Sequence, residues 1–254
     1  MGGKELEHSD KIVCIIEARM SSSRLPGKVM EKIGNRNSLE HIVHRIRNVE
    51  AIDNICIATS TNTEDDKIEK LSRIMGVDCY RGSEEDVLER VLECALFFGA
   101  TVIVEITGDC PFVDADLTEQ YLQIFLQNDL DYLSNNIFPS YPDGFDIQIF
   151  RTEALKLSNV HALSQAEREH VTMHIKNNPD LFKVVNIVAP RKYRFPNLSV
   201  TLDTREDLEV LRILESKLDD KELNSYQGIT SFLISNPSIS SINQHIVRKG
   251  YATE

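Results

Sequence analysis

The stretch CIIEARMSSSRLPGKVMEKIG, residues 14–34, runs from an apolar strand straight into a loop with three serines, two arginines, a proline, a glycine and a lysine. The strand pattern extends back to Lys11 and ends at Glu17; Arg19, Arg24 and Lys28 then fall within ten residues. The hydroxyls of Ser21, Ser22 and Ser23 and the backbone around Ala18 and Gly27 stand between these cations. Oriented amides and cations together favour a polyanion. Arginine supplies forked contacts and lysine a point charge, a mixture suited to several linked phosphates. Pro26 stiffens the turn before the lysine. A P-loop is excluded, because only Gly27-Lys28 matches it and Val29 follows where Ser or Thr must hold magnesium. The other reading of the loop is solvated charge with no ligand.

Outward from this loop the chain alternates short β-branched runs with amphipathic helices. Strands are predicted at 11–17, 54–60, 77–82, 101–109 and 131–134. The helix after the first strand turns Leu39, Ile42, Val43, Ile46 and Val49 to one face, capped by Asn37 or Ser38. A capping box from Thr63 to Asp66 opens a second helix, with Ile68, Leu71, Ile74 and Met75 inward and a stop at Gly76. Ser83 is read as the cap of a third helix, whose inner face is Val87, Leu88, Val91, Leu92 and Ala95. Strands apolar on both faces, joined by helices, predict an α/β fold with a parallel sheet covered on both sides. Ligands gather at the carboxyl ends of the strands in such sheets.

After residue 135 the rhythm loosens into a Pro/Gly-bearing loop, a strand at 145–150, and helical segments near 152–158 and 162–177. A last strand ends at Asp203, and Thr204 caps the helix that carries Leu208, Leu211 and Leu214. The organisation expected is a flexible leader over 1–10, a single domain over 11–254, and an irregular lobe near 136–195.

The 254 residues, 41% hydrophobic, suffice for one substantial core. Lys+Arg 28 against Asp+Glu 40 leaves a net charge of −12, which repels a nucleic-acid backbone and argues against a DNA or RNA partner. Five cysteines show no CxxC pair, so neither disulfides nor a zinc site is expected. The polar start lacks a signal core, and no run reaches the length of a membrane span. A cytoplasmic protein is the expectation.

ARMSSSRLPGK (18–28) resembles the ARxxSTRLPGK signature of the sugar-acid cytidylyltransferases, in particular the spore coat polysaccharide biosynthesis protein F type, beside the acylneuraminate and KDO cytidylyltransferases. The similarity continues in order through ATSTNTEDDKI, RGSEEDVLERV, ITGDCPFVD, PDGFDIQIF, REHVT and VTLDTREDL, over about residues 11–215. The resemblance implies a three-layer Rossmann-like nucleotide-diphospho-sugar transferase fold. It further implies magnesium-dependent transfer of CMP from CTP to a sugar acid or small phosphorylated acceptor, with release of pyrophosphate.

By match, Arg19, Arg24 and Lys28 neutralise the triphosphate, and Ala18 and Ser21 to Ser23 line it. Asp109 and Asp203 hold Mg2+; the residues alone would also fit turn formers or caps. Thr59, Ser60, Arg81, Ser83 and Asp86 are expected at the cytosine, although Ser83 has an ordinary reading as a helix cap. Asp143, Asp146, Arg168 and His170 are expected to hold a small anionic acceptor. Two departures stand out: Glu17 for the commoner Gln, and Gln148 for the expected Glu. Related enzymes are often dimers, which puts a homodimer contact in the lobe at 136–195. The alternatives are the same fold using GTP or UTP, or an inactive binding homologue.

Overall fold

Ile, Val and Cys fill the first strand, β1 (Ile12–Glu17), and no residue from Ile12 to Ile16 is more than 5% exposed. The computed structural model describes residues 10–248, so all but the last residue of the expected leader lies outside it. After β1 a small hairpin, β2 (Lys32–Ile33) and β3 (Arg36–Asn37), leads into α1 (Ser38–Ile46). The Asn37 side chain accepts from Glu40 N and Glu40 accepts from Asn37 N, closing the capping box that fixes where α1 begins. There follow β4 (Asn54–Ser60), α2 (Asp66–Met75), β5 (Asp78–Gly82), α3 (Val87–Phe97), β6 (Val102–Thr107) and α4 (Ala115–Gln127). The second half holds β7 (Tyr132–Ser134), β8 (Gln148–Arg151), α5 (Thr152–His161), α6 (Gln165–Glu169), α7 (Met173–Asn177) and β9 (Val184–Asn186). Four helices follow among the described residues: α8 (Arg205–Lys217), α9 (Asp220–Leu223), α10 (Tyr226–Ser235) and α11 (Pro237–Ser240).

Seven strands form one sheet in the order β5-β4-β1-β6-β8-β7-β9. All run in one direction except β8, which pairs antiparallel with both β6 and β7. Successive residues of β1 point to opposite faces. Cys14 and Ile16 pack in one core with α1, α2, α4, α8 and α10, whereas Val13 and Ile15 pack in another with α3, α5 and α7. Helices therefore cover both faces, as the apolar strands require.

Five local readings are corrected. The third helix starts at Val87 with Asp86 as its cap, because the Asp86 carboxylate accepts from Glu89 N at 2.9 Å. Ile74, expected inward, is 72% exposed; six residues after Ile68, it falls roughly 240° around the helix from the buried stripe. The strand read at 145–150 begins only at Gln148, since the Asn135 side chain takes the Phe145 and Ile147 backbone groups that a ladder would use. Residues 199–203 are extended without forming a ladder strand: Val200 N and Leu202 N bond to the carbonyls of Asp143 and Asp109. The helical stretch at 162–177 is two short helices, with His170 between them outside helical geometry (φ −105°, ψ 85°).

Candidate active site

At the carboxyl ends of β1 and β6 the two strands are bound tightly: Gly108 N donates to Glu17 O at 2.8 Å. A Cβ on Gly108 would stand 2.8 Å from that oxygen, so only glycine lets the strand ends meet. The basic loop leaves from here. Met20 O accepts from Gly27 N at 2.8 Å, which closes the loop on itself, and Gly27 takes a left-handed φ of +72° to deliver Lys28 into a short 3-10 turn. The buried Asp65 holds the loop from below, accepting from Met20 N at 2.7 Å and from Ser60 N at 3.0 Å.

The loop opens on a cavity of about 460 Å³. At its centre Lys28 Nζ donates to Asp109 Oδ2 at 2.6 Å and to Asp203 Oδ1 at 2.7 Å. Asp109 follows β6; Asp203 precedes α8, its backbone N–H held at 3.0 Å by Asp207. Arg24 reaches the other Asp203 oxygen at 2.6 Å. Burial alone would raise the Asp109 carboxyl, but the Lys28 ammonium overrides it and holds Asp109 below the usual carboxylate range. Burial would likewise lower Lys28, and the two aspartates reverse this, so the amine stays charged at neutral pH. Two carboxylates that already share one cation are a fitting donor pair for a hard divalent ion. Among the described residues no group of three or more His, Cys, Asp or Glu could hold a metal. Such a pair, completed by substrate oxygens and water, is how Mg2+ is commonly bound.

The rest of the lining comes from the second half of the chain. Because β8 runs against β6, the residues that lead into it, Asp143 and Asp146, arrive at the edge where Asp109 sits. Burial, with Asp143 beside it, pushes Asp146 up to about 8. Burial pushes Asp143 to about 6, against the pull of Arg248. Glu105, 2% exposed with Oε2 unpartnered, is raised well above its ordinary value by burial and by Glu17. Lys176 faces Glu105 and Asp146, and burial lowers its amine.

Of the residues singled out by sequence, Ala18, Arg19, Ser21, Ser22, Ser23, Arg24, Lys28, Asp109, Asp143, Asp146, His170 and Asp203 line this one cavity. Arg19 stands 3.8 Å from Glu84 and 4.0 Å from Glu169. The five residues expected at the cytosine are not among those lining this cavity. Thr59 is wholly buried within the fold and Ser60 is bonded to Asp65. Arg81 binds Asp66 at 2.6 Å and Glu69 at 2.9 Å. Ser83 accepts from Asp86 N at 3.0 Å, and Asp86 itself receives Arg168. Arg168 thus lies outside the lining, held by Asp86 and by Asn159 at 2.7 Å.

Sequence reasoning passed over Glu105, Lys176, Arg90 and Arg248, which all line the cavity. A carboxylate inside the apolar run TVIVEIT was the available sign of Glu105, since a strand buried on both faces tolerates one only for a reason. Arg248 lies in a polar segment without periodicity and carried no such sign.

A family model described as Cytidylyltransferase matches residues 13–231. An uncharacterized protein of Methanocaldococcus jannaschii is 36% identical over 242 residues, covering 95% of this chain and 98% of that one. Spore coat polysaccharide biosynthesis protein SpsF of Bacillus subtilis is 34% identical over 235 residues, 91% of this chain and 97% of its own. A cytidylyltransferase structure from Leptospira borgpetersenii superposes with a TM-score of 0.86 at 30% identity, covering 94% of this chain and 100% of that one.

Proposed function

The chain belongs to the cytidylyltransferase family, and from that premise we propose that it transfers CMP from CTP to a small sugar acid or phosphorylated acceptor, releasing pyrophosphate for surface polysaccharide assembly. One observation carries the reading: Lys28 Nζ bridges Asp109 and Asp203 at the foot of the basic loop, inside the cavity at the sheet's carboxyl edge.

The loop receives the triphosphate on Arg19, Arg24 and Lys28, with Ser21 to Ser23 and the Ala18 backbone around it. The acceptor enters from the side of Asp143, Asp146 and His170. Its hydroxyl oxygen attacks the α-phosphorus in line and gives up its proton to a cavity carboxylate such as Asp143, the bond to the bridging oxygen breaks, and that electron pair leaves with pyrophosphate. No covalent bond to the enzyme forms. Negative charge grows on the α-phosphoryl oxygens, and the Lys28 ammonium, charged throughout, is positioned to meet it. Asp109 and Asp203 are the residues that would hold Mg2+, which when bound screens the phosphates from the incoming nucleophile.

We place the reaction in the cytoplasm, a reading supported by five free cysteines. Among the described residues no helix is long and apolar enough to cross a membrane. A homodimer through the lobe at 136–195 is supported by Phe138, Val160, Leu163 and Leu181, each at least 59% exposed.

The test is pyrophosphate release with each of the four nucleoside triphosphates against a panel of sugar acids, phosphorylated polyols and phosphorylated amides. CTP is expected to give the highest kcat/KM, and a chelator to reduce release to background. Release with GTP or UTP in preference to CTP would keep the fold and refute the nucleotide. Undiminished turnover in excess chelator would refute the metal.

A further inference from the structure

Beyond α11 the chain returns to the cavity and places Arg248 in its wall, with a side chain only 12% exposed. Its guanidinium is forked onto a fully buried carboxylate: Nη2 donates to Asp207 Oδ1 at 2.6 Å and Nη1 to Asp207 Oδ2 at 2.9 Å. Asp207 is fixed in turn, accepting from Asn243 Nδ2 at 2.8 Å, Asp203 N at 3.0 Å and Thr204 N at 2.9 Å. A guanidinium carries five N–H donors. Two are engaged by Asp207, and the remaining three have no hydrogen-bond partner among the described residues. The nearest acids on that side are Asp143, 3.6 Å from Nε, and Asp203, 3.9 Å from Nη1. Both distances suit an ion pair and exceed a hydrogen bond.

The phosphate loop meets this segment directly, because Arg24 Nη1 donates to Val247 O at 3.5 Å while Arg24 Nη2 holds Asp203. Lys28, Arg24 and Arg248 therefore crowd around the single carboxylate of Asp203. Lys28 and Arg248 have Asp109 and Asp207 as further partners, yet all three cations converge on one side of the cavity, where a chain of phosphates offers an oxygen to each. Anchored on Asp207, the Arg248 fork is already ordered, so little side-chain freedom is lost when an oxyanion arrives.

We propose that Arg248 is a phosphate-binding residue of this site, a third cation delivered by the far end of the chain to the triphosphate that Arg24 and Lys28 receive. The proposal rests on the nucleotidyl-transfer reading of the same cavity.

The experiment measures binding of inorganic tripolyphosphate, CTP and cytidine to the full-length protein and to its Arg248→Met and Arg248→Lys variants by titration calorimetry. Losing charge-assisted hydrogen bonds to phosphate should weaken tripolyphosphate and CTP about 10- to 100-fold in Arg248→Met. Arg248→Lys, which keeps a point charge and loses the fork, should fall between. Cytidine should bind all three proteins within a factor of two, as it carries no phosphate. Unchanged tripolyphosphate affinity in a folded Arg248→Met protein overturns the proposal. So does a parallel loss of cytidine, which would mark general distortion of the cavity. Should Arg248→Met fail to fold, Arg248→Lys decides, and wild-type tripolyphosphate affinity in it overturns the proposal. Arg248-dependent tripolyphosphate binding in a protein that releases no pyrophosphate from CTP would uphold this site while refuting the transfer activity.

Discussion

Replacing Lys28 with Met keeps the length of the side chain and removes the charge that Asp109 and Asp203 share. Asp203 retains Arg24 at 2.6 Å, so the damage falls on Asp109, whose carboxylate receives a side-chain cation from Lys28 alone among the described residues. Removing one member of a buried pair costs about 3–5 kcal/mol. Because the Lys28 and Asp109 side chains are 14% and 24% exposed, the lower end applies. About 3 kcal/mol corresponds to a fall in Tm of about 6–12 °C for a domain of this size.

The sign depends on pH. In the native protein Asp109 is held below its unfolded value, so its contribution is present above about pH 4 and disappears as pH falls through the folded value. Without Lys28, burial raises Asp109 instead, and the penalty present above about pH 4 is relieved on acidification. The Tm gap between the two proteins should therefore be widest near pH 7 and narrow toward pH 4. Turnover under saturating CTP should fall about 10²- to 10³-fold, the range for losing one preorganised charge at a transition state. Scanning fluorimetry from pH 4 to 8 and a coupled pyrophosphate assay read both effects. A pH-independent Tm gap, or a kcat within threefold of wild type, would refute the assignment of Lys28.

Two further substitutions probe the frame around this centre. Gly108→Ala forces a Cβ to 2.8 Å from Glu17 O; overpacking of this kind costs about 1–3 kcal/mol. It should also raise the KM for CTP by displacing the start of the phosphate loop, and a variant with native Tm and KM would show that the close approach is not needed. Asp86→Ala removes the α3 cap and the partner of Arg168; a lost cap costs about 1 kcal/mol. Since neither residue lines the cavity, the KM for CTP should change less than threefold, and a tenfold rise at unchanged Tm would return Asp86 to the nucleotide site.

What the chain's order discloses is mostly local. Runs such as KIVCIIE and TVIVEIT declare strands buried on both faces, and the Arg/Ser/Lys loop after the first declares a cluster of cations, because both signals come from neighbouring residues. The direction of β8 is a matter of pairing between distant segments, and nothing within QIFR encodes it. The partners of Ser60 and Asp86 are hidden in the sequence for a related reason. A hydroxyl or carboxylate at a strand or helix end can face a ligand or fasten a neighbouring loop, and here Asp65 and Arg168 take them. Arg248 depends on a long-range return of the chain to Asp207, 41 residues earlier in sequence.

The reversed strand has an evolutionary corollary. With β8 inverted, the segment before it carries Asp143 and Asp146 to the rim of the cavity, while the basic loop reaches the same cavity from β1. On the proposed reading, selection can recharge the exposed positions of that segment to suit another acceptor while the loop after β1 and the aspartate after β6 stay unchanged.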